Sequence, residues 1–375
     1  LGRPLRILFP YVGDTVGGSH VSSLTLAKAL DPMRHEVVVG VHEHGLLTDY
    51  LAREGIEPQP LPRVHPPKLR PRWRQPLRIR AAAAALVPTL RALKIDVVHT
   101  HDQRMHLAWG VAARAARVPH VWHQRTPSPG RDLPVFTRDA AHLIAVSRFV
   151  RESFAPAARA EAEVVYNPFT APPEHDAAAS RSLIRTEMGT TGDGPVVGFV
   201  SNLTDRKRPL LFVEIAERMA GAGLPADAVF PMFGEARPPL ADAVAARIAA
   251  GPLGDRVQIM GPRFPFAPYL AGLDLLIAPA RHEALGRTLI EAAFAGVPVV
   301  ATDEGGTPEI FDHGRSALLA PPDDAGAFAE AGVRLLSEPD RTAAMTVAAR
   351  ADAESRFSLA THLARMEEIY DGLRR

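Results

Sequence analysis

Residues 274–322 read DLLIAPARHEALGRTLIEAAFAGVPVVATDEGGTPEIFDHGRSALLAPP, and this stretch decides the fold. An apolar run, 275–278, stops at Pro279 and gives way to a polar loop with Arg281, His282 and Glu283. A short apolar run closed by a breaker predicts a buried strand. A helix is expected from about Gly286 to Gly296, where glycine suits a left-handed helix terminus. A second apolar run, 297–301, leads into Asp303, Glu304, Gly305 and Gly306. Strand, helix and strand in this order make the unit of a parallel sheet. The helix start lies just past a strand end, so its unpaired N–H groups form an anion site suited to a diphosphate. Glu283 precedes this helix and Glu291 lies inside it. Carboxylates beside a phosphate site suit neutral hydroxyls, such as those of ribose or hexose. Arg287 and Glu291 are also spaced i,i+4, the spacing of a surface ion pair that contributes about 0.3–0.5 kcal/mol. Both readings of Glu291 stand at this point.

The same alternation extends outward in both directions. Upstream, strand-like runs fall at 6–12, 36–41, 95–100, 120–123, 142–146 and 164–166, with a helical segment at 21–30 behind Gly17-Gly18-Ser19. The pattern breaks at 167–194, where Pro168, Pro172, Pro173, Gly189, Gly192 and Gly194 cluster around one short helix; this reads as the linker region. A second series follows at 196–200, 228–233, 257–260, 275–278, 297–301 and 317–319. The expected fold is α/β, with two facing Rossmann-like domains and a cleft between them. Residues 1–172 form the first, 173–356 the second, and a helix within 357–375 packs back on the first. Ligands of such sheets sit at the carboxyl ends of the strands.

Bulk composition agrees with two domains. The chain has 375 residues, more than a single core usually serves. Its 43 Lys and Arg against 42 Asp and Glu leave no basic excess for nucleic-acid binding. With no cysteine, disulfides, thiolate metal sites and cysteine nucleophiles are excluded. No apolar run reaches the roughly 18 residues of a membrane span, and residues 1–10 lack a signal-peptide layout, so a cytoplasmic protein is expected. One segment stands apart: 68–80, KLRPRWRQPLRIR, carries six positive charges with Trp73. Pro71 and Pro76 interrupt it, so it is not expected to form one regular helix, and a helix is expected only from Ala81. A solvated loop is one reading; peripheral contact with an anionic membrane face or a phosphorylated acceptor is the other.

The 274–322 stretch resembles the signature of the family-four retaining glycosyltransferases with the GT-B fold. Glu283 and Glu291 have the family's spacing, Ala292, Gly296, Pro298 and Val299 match the following run, and Gly305, Gly306 and Glu309 match its Gly-Gly-x-x-E turn. The resemblance implies a donor nucleotide-diphosphate sugar, such as a UDP- or GDP-sugar, as substrate, with no cofactor. It places Glu291 on the ribose hydroxyls, Glu283 on the donor sugar, and the backbone amides around Leu285, Gly286 and Arg287 against the sugar and diphosphate. Gly17 and Gly18 are similar to the family's N-terminal glycine loop, near the donor phosphates and acceptor; they also suit a tight turn, with Ser19 as a helix cap. His123 is similar to the histidine that approaches the donor sugar, whereas His99 and His101 read as structural. The segment 199–209, FVSNLTDRKRP, resembles the phosphate-binding loop, where an arginine and a lysine clamp the diphosphate. Lys207 matches the lysine. The arginine position is Asn202, which donates hydrogen bonds but brings no charge. Arg206 and Arg208 flank Lys207, and either is a candidate to compensate; a solvated loop is the other reading of both, and the favoured one for Arg206.

Other readings fit less of the chain. A dinucleotide-binding dehydrogenase needs three glycines in phase, and 12–17 offers two. A phosphate-loop NTPase needs G-K-[ST], which does not occur. A GT-B sugar-nucleotide epimerase shares the architecture but not the glutamate spacing. A non-catalytic sugar-nucleotide-binding subunit is kept open by Asn202. No metal is expected: no Asp-x-Asp motif ends a strand, Asp323-Asp324 lies in a proline-rich turn, and the histidines lack the linear spacing of a zinc site.

Overall fold

The computed structural model describes residues 3–63, 75–127 and 137–374. Residues 68–74 of the basic segment lie outside them. The described chain divides into two compact units, the first made of Leu1–Phe169 with Leu359–Arg375, the second of Thr170–Ser358.

Among the described residues, the first unit holds a seven-stranded parallel sheet: β1 (Leu5–Tyr11), β2 (His35–Val41), β3 (Gln59–Pro60), β4 (Val97–Thr100), β5 (His120–Gln124), β6 (His142–Ala145) and β7 (Glu163–Val164). Their order is β3-β2-β1-β4-β5-β6-β7. Alternate residues of β1 feed two cores, as a strand's period of two requires. Ile7, Phe9 and Tyr11 pack with Leu24 and Leu26 of helix Gly18–Ala29 and with Met366, Ile369 and Tyr370 of helix Leu359–Gly372. Leu8 turns to the other side, against Leu86 and Leu90 of helix Gln75–Ala92 and Trp109 of helix Gln103–Ala116.

The second unit repeats the plan with six parallel strands: β8 (Val197–Val200), β9 (Phe230–Phe233), β10 (Val257–Gly261), β11 (Leu275–Ala278), β12 (Val299–Thr302) and β13 (Leu318–Ala320), ordered β10-β9-β8-β11-β12-β13. Val197 and Phe199 of β8 and Leu275 and Ile277 of β11 pack on Phe212, Ala216 and Met219 of helix Pro209–Gly221 and on Phe328 of helix Ala325–Ser337. Fully burying each of the larger side chains among these is worth about 1.5–3 kcal/mol.

The structure corrects several sequence expectations. A helix begins at Gln75, not Ala81. Pro76 falls in its first turn, where no intrahelical N–H is lost, and Pro88 is carried inside it. Helix Gly18–Ala29 starts three residues earlier than expected. Its cap is Gly17, whose N–H donates to Nδ1 of His20 at 3.1 Å, so Ser19 lies in the first turn and does not cap it. The helix inside the expected linker spans twelve residues, Ala177–Met188, is capped by Asp176, and ends at Gly189 in the left-handed region. Strand β12 starts at Val299 rather than at residue 297, because the chain first passes Pro298, whose carbonyl accepts from Leu276 N–H at 2.9 Å.

Candidate active site

Each sheet has one place where strand order reverses direction, between β1 and β4 in the first unit and between β8 and β11 in the second. Loops leaving two such strands diverge and leave a crevice at their carboxyl ends. In the second unit these are the loops 201–208 and 279–286. They are joined by a backbone bond from Arg281 N–H to Arg206 C=O at 2.8 Å.

Glu283 stands at the centre of this crevice. One of its oxygens, Oε2, accepts from Lys207 and from Arg206, the latter at 2.9 Å. The glutamate side chain is only 13% exposed. Burial opposes its ionisation, yet the charges of Lys207 and then Arg206 outweigh this and hold its carboxyl below the usual range. A second set of charges lies alongside. Asp323 accepts from Arg208 Nε at 2.8 Å and from Arg281 Nη1 at 2.8 Å. Arg281 also reaches Glu304 at 3.0 Å, and His282 pairs with the same glutamate. Arg208, His282 and Asp323 all adopt positive φ, a backbone region costly for these residues.

The glycine turn after β12 acts as a support for Glu283. Gly306 N–H donates to Glu283 C=O at 2.7 Å. Gly305 has φ +69°, and a Cβ there would stand 2.7 Å from the same carbonyl, so a side chain would push the turn off the glutamate. Gly286 likewise has φ +80° and caps helix Arg287–Ala295, which ends at Gly296 in the left-handed region. Leu285 is buried just before this helix, whose first amides have no intrahelical acceptor. Glu291 makes the i,i+4 pair with Arg287 at 3.0 Å while its side chain stays 35% exposed. Asn202 is tied down: its Oδ1 accepts from Glu235 N–H at 3.0 Å.

The corresponding place in the first unit has different contents. Gly17 and Gly18 start the helix after β1, and Asp14 of that loop pairs with Arg104 at 2.7 Å. His99 and His101 from the end of β4 and His123 from β5 are buried together. Arg125, two residues past His123 and so on the same face of the chain, donates to Nδ1 of His101 at 3.2 Å and of His123 at 3.4 Å. Nδ1 of His99 meets the Tyr370 hydroxyl at 2.6 Å, and His362 donates to the Tyr166 carbonyl at 2.6 Å. Burial drives all these imidazoles to the neutral form, with the positive charge of Arg125 adding to it; His362 is pushed down to about 3.

Linear spacing predicted no metal-ligand set, yet His99, His101 and His123 bring one ligand atom each within 4.8 Å of one another. Spacing along the chain misses this because the residues come from neighbouring parallel strands. The hydrogen bonds, however, disfavour a cation. Where Arg125 donates to Nδ1, the neutral ring carries its proton on Nε2 and offers a donor there rather than a lone pair. The guanidinium charge repels a metal ion as well. Sequence reading passed over Arg125 and named Arg281 and Glu304 only as loop residues, with no role. Arg125 had a signal in its i,i+2 relation to His123; the other two lie in irregular loops and had none.

Among the described residues, no helix is long and apolar enough to cross a membrane.

Comparison with known proteins adds the following. Residues 16–170 match the family described as Glycosyltransferase Family 4, and residues 194–338 match Glycosyl transferases group 1. A 2-deoxystreptamine N-acetyl-D-glucosaminyltransferase of Streptomyces fradiae is 27% identical over 94% of this chain and 90% of its own length. A protein of the same name from Niallia circulans is 30% identical over 47% of this chain and 44% of its own length, so the chain spans less than half of that relative. Among solved structures, Anabaena HepE in complex with UDP and glucose superposes with a TM-score of 0.81 at 24% identity, covering 98% of this chain and 99% of that one. A glycosyltransferase from Rickettsia africae gives 0.85 at 20% identity, covering 99% and 98%. At these identities the structural likeness shows the GT-B fold alone.

Proposed function

This chain belongs to the family-four glycosyltransferases, and from that premise we propose that its second unit binds a nucleotide-diphosphate sugar whose sugar passes to a hydroxyl acceptor with retention of configuration. The observation that carries the proposal is the pairing of Lys207 with Glu283 where β8 and β11 diverge, beside the amino end of helix Arg287–Ala295. A lysine ammonium and helix amides suit a diphosphate. Glu283 suits sugar hydroxyls, and Glu291, partly exposed on that helix, suits the ribose.

The chemistry requires little more. The bond from the anomeric carbon to the diphosphate oxygen breaks while the acceptor oxygen bonds to that carbon on the same face. The acceptor's proton goes to the departing phosphate oxygen. Lys207 and the helix amides stabilise the charge that develops on the leaving group. No second carboxylate nucleophile of the kind used by retaining glycosidases is required in this scheme. The reaction is read as metal-independent, since Lys207 supplies the charge that a metal would otherwise provide. His123 is assigned to the donor sugar by family likeness.

The test is release of free nucleoside diphosphate from UDP-N-acetylglucosamine, UDP-glucose and GDP-mannose, alone and with 2-deoxystreptamine or inositol 3-phosphate as acceptor. Product is examined by NMR for the anomeric configuration. Slow release from one donor, faster with acceptor and giving an α product from an α donor, is expected. Failure to bind or turn over any of these donors would remove the reading, and an inverted product would remove the retaining part of it.

A further inference from the structure

Where the family resemblance implies an arginine, the loop 199–209 carries Asn202, and three nearby arginines are candidates to supply the charge. Their partners separate them. Arg208 gives both Nε and Nη2 to Asp323, and Arg281 is divided between Asp323 and Glu304. These two guanidinium groups face two carboxylates, so that set is balanced. Lys207 and Arg206 share one carboxylate, and indeed one oxygen of it, so this set has a surplus of one positive charge. An arriving diphosphate meets that surplus.

Geometry agrees with the charge count. Arg206 lies in the one-turn helix Asp205–Lys207, and its carbonyl is held by Arg281 N–H at 2.8 Å. The backbone is therefore fixed while the side chain stays 46% exposed. Its Nη1 stands 2.9 Å from the oxygen that Lys207 also holds, so both cations already converge on one point at the crevice. Asn202 does not supply the charge: its carbonyl oxygen accepts from Glu235 N–H, and its amide NH2 offers only a neutral donor.

We infer that Arg206, one residue before Lys207, supplies the second cation for the donor diphosphate, in place of the arginine that the resemblance implies where Asn202 stands. The inference rests on the donor-site reading above. Binding of the diphosphate draws Lys207 and Arg206 from Glu283 and leaves its carboxylate for a sugar hydroxyl.

Calorimetric titration with UDP and GDP identifies the nucleotide that wild type binds more tightly, and the matching monophosphate and nucleoside serve as truncated probes. Arg206→Ala is expected to weaken diphosphate binding about tenfold, the effect of roughly 1.4 kcal/mol, while leaving the nucleoside unchanged. Arg206→Lys should lose less. Adding Asn202→Arg to Arg206→Ala should recover most of the affinity. Arg218→Ala, which removes an exposed arginine paired with Glu214, controls for net charge. Unchanged diphosphate affinity in folded Arg206→Ala, an equal loss for the bare nucleoside, or a double variant no better than Arg206→Ala would overturn the inference. If Lys207→Ala still weakens the diphosphate in those cases, the donor site stands without Arg206. If wild type binds neither diphosphate, the donor-site reading itself falls.

Discussion

The two sheets share one strand order through their first six strands, yet the places where that order reverses hold opposite chemistry. In the second unit the crevice beside β8 and β11 is lined by Arg206, Lys207, Arg208, Arg281, Glu283, Glu304 and Asp323, all charged and mostly half-exposed. In the first, the ends of β4 and β5 hold buried neutral imidazoles around Arg125. The same scaffold therefore fixes where loops diverge and leaves their chemistry to sequence. It also means that the two units answer differently to acid, to loss of a cation and to loss of a carboxylate.

Acid should produce the largest difference. His99, His101, His106 and His123 are held well below their usual range, and His120 and His362 at about 3. Once unfolded, each binds a proton near pH 6.5. The unfolded state thus takes up more protons as pH falls below about 6.5, and stability declines by roughly 1 kcal/mol per histidine per pH unit. Glu283 and Asp323 of the second unit are held below the carboxylate range, so their contribution is intact above about pH 4.5 and is lost only as pH falls through their folded values. Hydrogen exchange resolved by segment, measured from pH 8 to pH 4, should show the first unit opening first, beginning below pH 6.5. Opening of the second unit first would break the comparison.

Removing a cation comes next. Lys207→Ala should lower turnover by roughly 10²- to 10³-fold, the scale of one preorganised electrostatic contact. Glu291→Ala should act mainly on binding, weakening the nucleoside diphosphate by the loss of charged hydrogen bonds worth about 1.5–3 kcal/mol. A surface pair with Arg287 predicts only a stability change below about 1 kcal/mol. Single-turnover kinetics and calorimetry on the folded variants separate these outcomes. Wild-type affinity in Glu291→Ala would return that residue to the surface-pair reading.

The smallest expected effect is that of a chelator. Turnover in excess EDTA should match turnover without it if, as proposed, Lys207 supplies the positive charge at the leaving group. Loss of activity restored by one divalent ion would show that a metal acts in this crevice or among the three histidines.

The difference between the units also explains what the sequence disclosed. The run 275–278 was readable because Asp274 and Pro279 frame four apolar residues, three of them buried, and the structure places β11 on those four residues. The helix after it was readable because Gly286 and Gly296, both at positive φ, mark its two ends. The pairing of Lys207 with Glu283 was not, since 76 residues separate them and only adjacency of β8 and β11 brings them together. Arg206 was read as solvated for the same reason: its partner comes from another loop. The gathering of His99, His101 and His123 depends on the register of β4 against β5, in which His99 faces Val121, and linear spacing does not contain that information.

One feature of the first unit reaches beyond chemistry. Helix Leu359–Gly372 places Tyr370 against His99 and His362 beside His123, so a segment made after the whole second unit completes the core of the first. During synthesis the second unit emerges as a continuous stretch and can condense as soon as it clears the ribosome. The first sheet, although made earlier, must wait with one face only partly covered, by helix Gly18–Ala29. Its closure then ties two distant parts of the polypeptide together, which sets a long-range pairing as a late step in maturation.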